Sequence, residues 1–136
     1  MSETGSTIVN AMTVDVEDYF HVAALSQAID RSRWDDMEYR AEANTRKLLD
    51  LFDVAGIRAT FFVLGWVARR SPQLVRDIYE RGHEVASHGM SHKLVYSQSP
   101  AEFREETYAA KAMLEDIIGA PVLGYRASTY SITQKS

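Results

Sequence analysis

The chain reads as an α/β protein built on a parallel sheet, and two observations predict this. Short apolar segments rich in β-branched residues alternate with longer segments of helical periodicity. The polar residues able to do chemistry follow the apolar segments, as they do where side chains gather at the carboxyl ends of parallel strands.

Each element has its own signal. STIVNAMTVDVEDYF carries Ile8, Val9, Met12, Val14 and Val16 and predicts a buried strand ending in Asp15, Glu17 and Asp18. HVAALSQAIDRSRWDD predicts a short helix and then a loop. EANTRKLLDLFDVAG places Leu48, Leu49, Phe52 and Ala55 at helical spacing, with Gly56 as the stop. In IRATFFVLG, Ala59 to Leu64 is nearly all apolar, the pattern of a strand covered on both faces. SPQLVRDIYERG predicts a helix capped by Ser71, with Pro72 at its first position and its end at Gly82. HEVASH predicts a third, short strand. SPAEFREETYAAKAMLEDIIG predicts a long helix with a Ser99–Glu102 capping box and an apolar stripe of Phe103, Ala110, Met113, Leu114 and Ile117. APVLGYRAS predicts a fourth strand. Residues 1–10 are expected to be a flexible N-terminus and residues 11–136 one domain, with no repeat or linker.

Composition narrows the function. The 136 residues are 46% hydrophobic and 25% charged, enough apolar matter for one core. A net charge of −4 gives no basic footprint for nucleic acid. The absence of cysteine excludes a disulfide framework and a thiolate metal site. The polar start MSETGSTIVN lacks a secretion signal, and no apolar run approaches a membrane span, so a cytoplasmic protein without membrane contact is expected.

The chemistry concentrates at three predicted strand ends. Strand one delivers Asp15, Glu17 and Asp18; strand three delivers His88 with His92 close behind; strand four delivers Tyr125 and Arg126. Histidines four apart can share one side of a helical turn and hold one metal. A carboxylate from a neighbouring strand adds a third ligand and leaves room for water and substrate. A second carboxylate can act as general base, oriented by an arginine. Bland readings compete: a capped surface turn for the histidines, a solvated loop for the acids, and a surface ion pair for Arg126. His21 reads as a helix cap, His83 as a packed or hydrogen-bonded ring, and Trp34 and Trp66 as packing rather than sugar platforms. A zinc-protease motif is rejected, because in HEVASH the second histidine stands five residues after the first, not four.

Four blocks in order, TVDVEDYF, RATFFVLGWVA, RGHEVASHGMSH and GYRASTYSIT, resemble the polysaccharide deacetylases of the NodB-homology class, carbohydrate esterase family 4. The similarity runs from about Thr13 to Thr133 and is nearest to the branch found with exopolysaccharide loci and peptidoglycan-deacetylase-like proteins. The resemblance implies a partial distorted (β/α) barrel of about four parallel strands, and a hydrolase acting on an acetylated glycan. It implies Asp15 as general base, Arg126 as its orienting partner, and His88 and His92 as metal ligands. The third ligand is Glu17 or Asp18; strand alternation favours Glu17, two residues from Asp15. Tyr125 and Tyr130 are candidate substrate contacts. The metal is expected to be zinc, with cobalt, nickel or iron also suited to such ligands.

Two departures qualify the resemblance. Ser128 stands where the branch shows proline, and the sequence stops soon after the arginine block, before the motifs that carry the family's catalytic acid. The expectation is therefore the N-terminal part of a deacetylase, truncated or a fragment, with low activity. The alternatives are a non-catalytic half-domain that binds metal or glycan, and a related amidase of small amides. Open sheet edges predict a homodimer or higher oligomer.

Overall fold

The computed structural model describes residues 7–136; residues 1–6 of the expected flexible N-terminus lie outside the described residues. Strands β1 (Thr13–Val16), β2 (Thr60–Val63) and β3 (Glu84–Ser87) form one parallel sheet in that order. Four helices accompany them among the described residues: α1 (Ala41–Ala55), α2 (Gly65–Arg70), α3 (Pro72–Glu80) and α4 (Pro100–Ile118).

Register gives the sheet two unlike faces. Val14, Phe61 and Val85 lie level, as do Val16, Val63 and Ser87. This face packs into one core with Leu49 and Phe52 of α1, Leu74, Val75 and Ile78 of α3, and Leu114 of α4. Alternation turns Thr13, Asp15, Thr60, Phe62, Glu84 and Ala86 to the other face. The expectation that β2 is covered on both faces is corrected accordingly: Phe61 and Val63 are buried, whereas Phe62 is only partly so.

Helix ends follow local chemistry. Gly56 and Gly119 stop α1 and α4 in the left-handed conformation, which a residue without Cβ adopts at least cost. The Ser99–Glu102 capping box is formed. Ser71 makes no cap bond; its hydroxyl instead donates to Glu42 at 2.6 Å and meets the Tyr39 hydroxyl at 2.9 Å.

Elsewhere the sequence expectations are corrected. β1 begins at Thr13, and Ile8 and Val9 before it are exposed. The expected short helix is replaced by three 3-10 turns, Tyr19–His21, Ala23–Leu25 and Arg31–Asp36, because Asp18 and Asp30 cap local turns with their side chains. The six-residue helix α2 is too short to show a period in the sequence. The fourth strand reduces to a parallel bridge between Ser87 and Tyr125, made by Ser87 N–H to Gly124 C=O (2.8 Å) and Arg126 N–H to Ser87 C=O (2.9 Å). Among the described residues, no helix is long and apolar enough to cross a membrane.

Candidate metal centre

The carboxyl ends of β1 and β3 lie on one rim of the sheet, and the predicted ligands meet there. One ligand atom each from Glu17, His88 and His92 lies within 4.8 Å of the others. Glu17 Oε2 stands 2.7 Å from His92 Nε2 and 3.3 Å from His88 Nε2. That oxygen is buried and has no hydrogen-bond partner. Two imidazole nitrogens and one unpartnered carboxylate oxygen converging in a buried spot fit a divalent cation.

The histidines are not paired by a helical turn, as their spacing had suggested. His88 directly follows β3, and His92 lies in an irregular loop with φ of 57°. Left-handed backbone costs a residue other than glycine on the order of 1–3 kcal/mol, and such strain concentrates at functional sites. The loop is held by α2: Gly65 N–H donates to Gly89 C=O (2.8 Å) and Trp66 N–H to Met90 C=O (3.0 Å). A Cβ on Gly65 would lie 3.0 Å from Met90 Cα, so glycine permits this close approach.

Hydrogen bonds orient the rings. His88 Nδ1 lies 2.8 Å from the Arg126 carbonyl, so Nδ1 carries the proton and Nε2 presents its lone pair to Glu17. Burial alone pushes the Glu17 carboxyl up, but the His88 and His92 rings outweigh it and hold the group at about 2. Burial alone lowers the His88 ring, but Glu17 more than offsets this and raises it above its ordinary value.

Asp15 stands beside the ligands. Its Oδ2 is 4.0 Å from His88 Nε2, and its Oδ1 accepts from Arg126 Nη1 at 2.7 Å. Arg126 is itself fixed by Thr13 Oγ1 (3.1 Å) and by the Phe62 ring, 4.1 Å beneath the guanidinium. Sequence reading missed Thr13 and Phe62. The available signal was their parity with Asp15, but it required the β1–β2 register.

The structure separates the remaining candidates. Asp18 Oδ2 accepts from the backbone amides of Arg40 (2.6 Å) and Ala41 (2.7 Å), and Oδ1 caps Tyr19. Its carboxylate anchors the start of α1, and Glu17 is the acid that joins the histidines. The Tyr125 ring packs edge-on against Phe103 of α4, while Tyr130 is 78% exposed. Neither hydroxyl is hydrogen-bonded to the cluster.

A family model described as polysaccharide deacetylase matches residues 32–136. A peptidoglycan-N-acetylglucosamine deacetylase of Bacillus cereus is 30% identical over 79 residues, covering 58% of this chain and 37% of the relative. A chitooligosaccharide deacetylase of Bradyrhizobium is 31% identical over 88 residues, covering 65% of this chain and 40% of the relative. The chain thus spans about two fifths of the length of these curated relatives. The peptidoglycan deacetylase PdaC of Bacillus subtilis shares the fold, with a TM-score of 0.68 at 23% identity over 92% of this chain and 51% of that one.

Proposed function

The chain belongs to the polysaccharide deacetylase family, and we propose that it serves metal-dependent removal of acetyl groups from an N-acetylated glycan. The observation that carries this reading is the meeting of Glu17, His88 and His92 beside an arginine-held Asp15. The three ligands would hold a divalent ion, zinc in preference to cobalt, nickel or iron. When bound, such an ion supplies Lewis acidity toward a water and an acetyl carbonyl. Arg126 engages Asp15 Oδ1 and leaves Oδ2 on the His88 side to accept a proton from the attacking water. Thr13 and Phe62 keep Arg126 in place, so the base is oriented before substrate arrives.

These residues alone are proposed to turn over slowly. His21 and His83 are both buried with Nδ1 accepting from a backbone amide, and burial lowers both pKa values, so neither is a ready proton donor to the leaving amine. Lack of a positioned acid costs about 10²–10⁴ in rate. Acetate release from acetylated chitooligosaccharide, with and without zinc, tests the reading. Slow release that needs zinc and disappears in Asp15→Asn is expected. Zinc-independent release would refute the metal role, and no release from a zinc-loaded chain would leave a binding unit only. The sheet has no strand outside β1 among the described residues, which supports assembly of two or more copies. A stable mass near 15.4 kDa in light scattering on dilution would refute that assembly.

A further inference from the structure

The two histidines of the metal centre are held in different ways. The His88 ring is oriented through Nδ1 by the Arg126 carbonyl. The His92 ring has no such support among the described residues: its Nδ1 is buried without a hydrogen-bond partner. Its backbone is left-handed, with φ of 57°, a conformation that persists only where the surroundings over-determine it. What fixes His92 must therefore act on the chain to either side of it.

The two flanking residues share one partner on α4. Glu106 Oε1 accepts from the Ser91 hydroxyl at 2.6 Å and stands 3.3 Å from Lys93 Nζ. The Ser91 carbonyl accepts from Arg31, whose guanidinium lies 4.8 Å over the Trp34 ring. Ser91 is thus held at both its hydroxyl and its carbonyl. Earlier in the loop, the Gly89 and Met90 carbonyls are tied to α2.

Glu106 is an unusual residue for its place. It falls three residues after Phe103 and four before Ala110, in the row that continues through Leu114 and Ile117. Its side chain is 22% exposed. A carboxylate in such a row is costly unless paired, and its partners Ser91 and Lys93 are the neighbours of His92. The Lys93 side chain is 45% exposed, so water weakens its ion pair, and the short Ser91 bond is the stronger tie.

We propose that Glu106 is a positioning residue: it clamps Ser91 and Lys93 and so holds His92 in the left-handed conformation that turns Nε2 to Glu17. The consequence for zinc rests on the metal reading of the deacetylase site; the clamp itself does not. Calorimetry measures zinc affinity in wild type, Glu106→Ala, Glu106→Gln, Ser91→Ala and Glu102→Ala. Nuclear Overhauser contacts between the His92 ring and the Glu17 side chain are recorded in each metal-free chain. Glu102 caps the same helix through Ser99, so its variant separates a weakened helix from a lost clamp.

Zinc affinity should fall about 10–100-fold in Glu106→Ala, as on loss of an outer partner of a metal ligand, and by somewhat less in Ser91→Ala. The His92–Glu17 contacts should weaken in both. Glu106→Gln keeps an oxygen to accept from Ser91 and should restore most of the affinity. Glu102→Ala should lower Tm and bind zinc as wild type does. Equal zinc affinity in wild type and Glu106→Ala would overturn the proposal, as would an equal loss in Glu106→Ala and Glu102→Ala. If Glu106→Ala does not fold, Ser91→Ala decides: unchanged affinity there overturns the proposal as well. A wild-type chain that binds no zinc would sink the metal reading instead. The contacts in the metal-free chains then decide the clamp, their loss in Glu106→Ala or Ser91→Ala upholding it and their persistence refuting it.

Discussion

The four histidines form two pairs that are equally buried and differ in every other respect. His88 and His92 are 2% and 5% exposed, and His21 and His83 are 2% and 3%. The first pair turns Nε2 atoms toward one carboxylate oxygen. The second pair turns Nδ1 toward a backbone amide, Asp18 N for His21 and Ala59 N for His83, and packs among aromatic rings. His21 lies 4.6 Å from Trp34 and 4.7 Å from Trp66, centroid to centroid, and His83 lies 5.0 Å from Phe61. The pKa directions follow. Burial holds His21 down at about 4 and lowers His83, whereas Glu17 reverses the effect of burial on His88. Burial alone therefore does not mark a functional histidine; the group facing the free ring nitrogen does.

The sharpest way to break this comparison is to remove one pair at a time. In the double variant His88→Ala/His92→Ala, zinc affinity should fall by more than the roughly 10–100-fold that loss of an outer partner costs. Equal affinity by calorimetry would show that the triad is not the metal site. His83→Ala should leave zinc affinity unchanged but lower stability by about 1–3 kcal/mol, because the buried Ala59 amide loses its acceptor. Urea denaturation reads the loss, and an unchanged midpoint would deny His83 its structural role.

Smaller effects of pH separate the pairs further in the metal-free chain. The His21 value is depressed from 6.5 to about 4, so the unfolded chain takes up that proton first. Its effect is that stability falls as pH drops through this window, and His21→Phe should flatten that slope. Glu17 is held at about 2 against 4.5, so its contribution is full above 4.5 and is lost only as pH falls toward 2. His88 is raised above 6.5, so its contribution is full below 6.5 and is lost as pH rises through the raised value. Zinc needs the unprotonated rings, so the rise in Tm caused by zinc should be larger at about pH 8 than at about pH 6. A zinc effect that shrinks with rising pH would place the ion elsewhere.

The elements with strong local signals were legible in the sequence. Helices α1 and α4 appear with their glycine stops, α4 with its capping box, and the three strands near their expected places. The site was legible in outline, because Asp15, Glu17, His88, His92 and Arg126 each follow an apolar run that predicts a strand. Spacing suggested a helical turn for the histidine pair, yet a left-handed residue in a loop pinned by Gly65 brings the rings together.

What the sequence by itself determined was local: which segments are helical, where they stop, and which residue types follow each strand, since periodicity and capping act over a few residues. Tertiary structure alone decided that Glu17 rather than Asp18 joins the histidines, because Asp18 is drawn to the amides of Arg40 and Ala41, more than twenty residues away. It also decided that Phe62 underlies Arg126, and that His21, Trp34 and Gln98 surround one cavity with His92. These outcomes depend on strand register and loop docking, which are set by contacts between residues far apart in the chain and leave no period in the sequence.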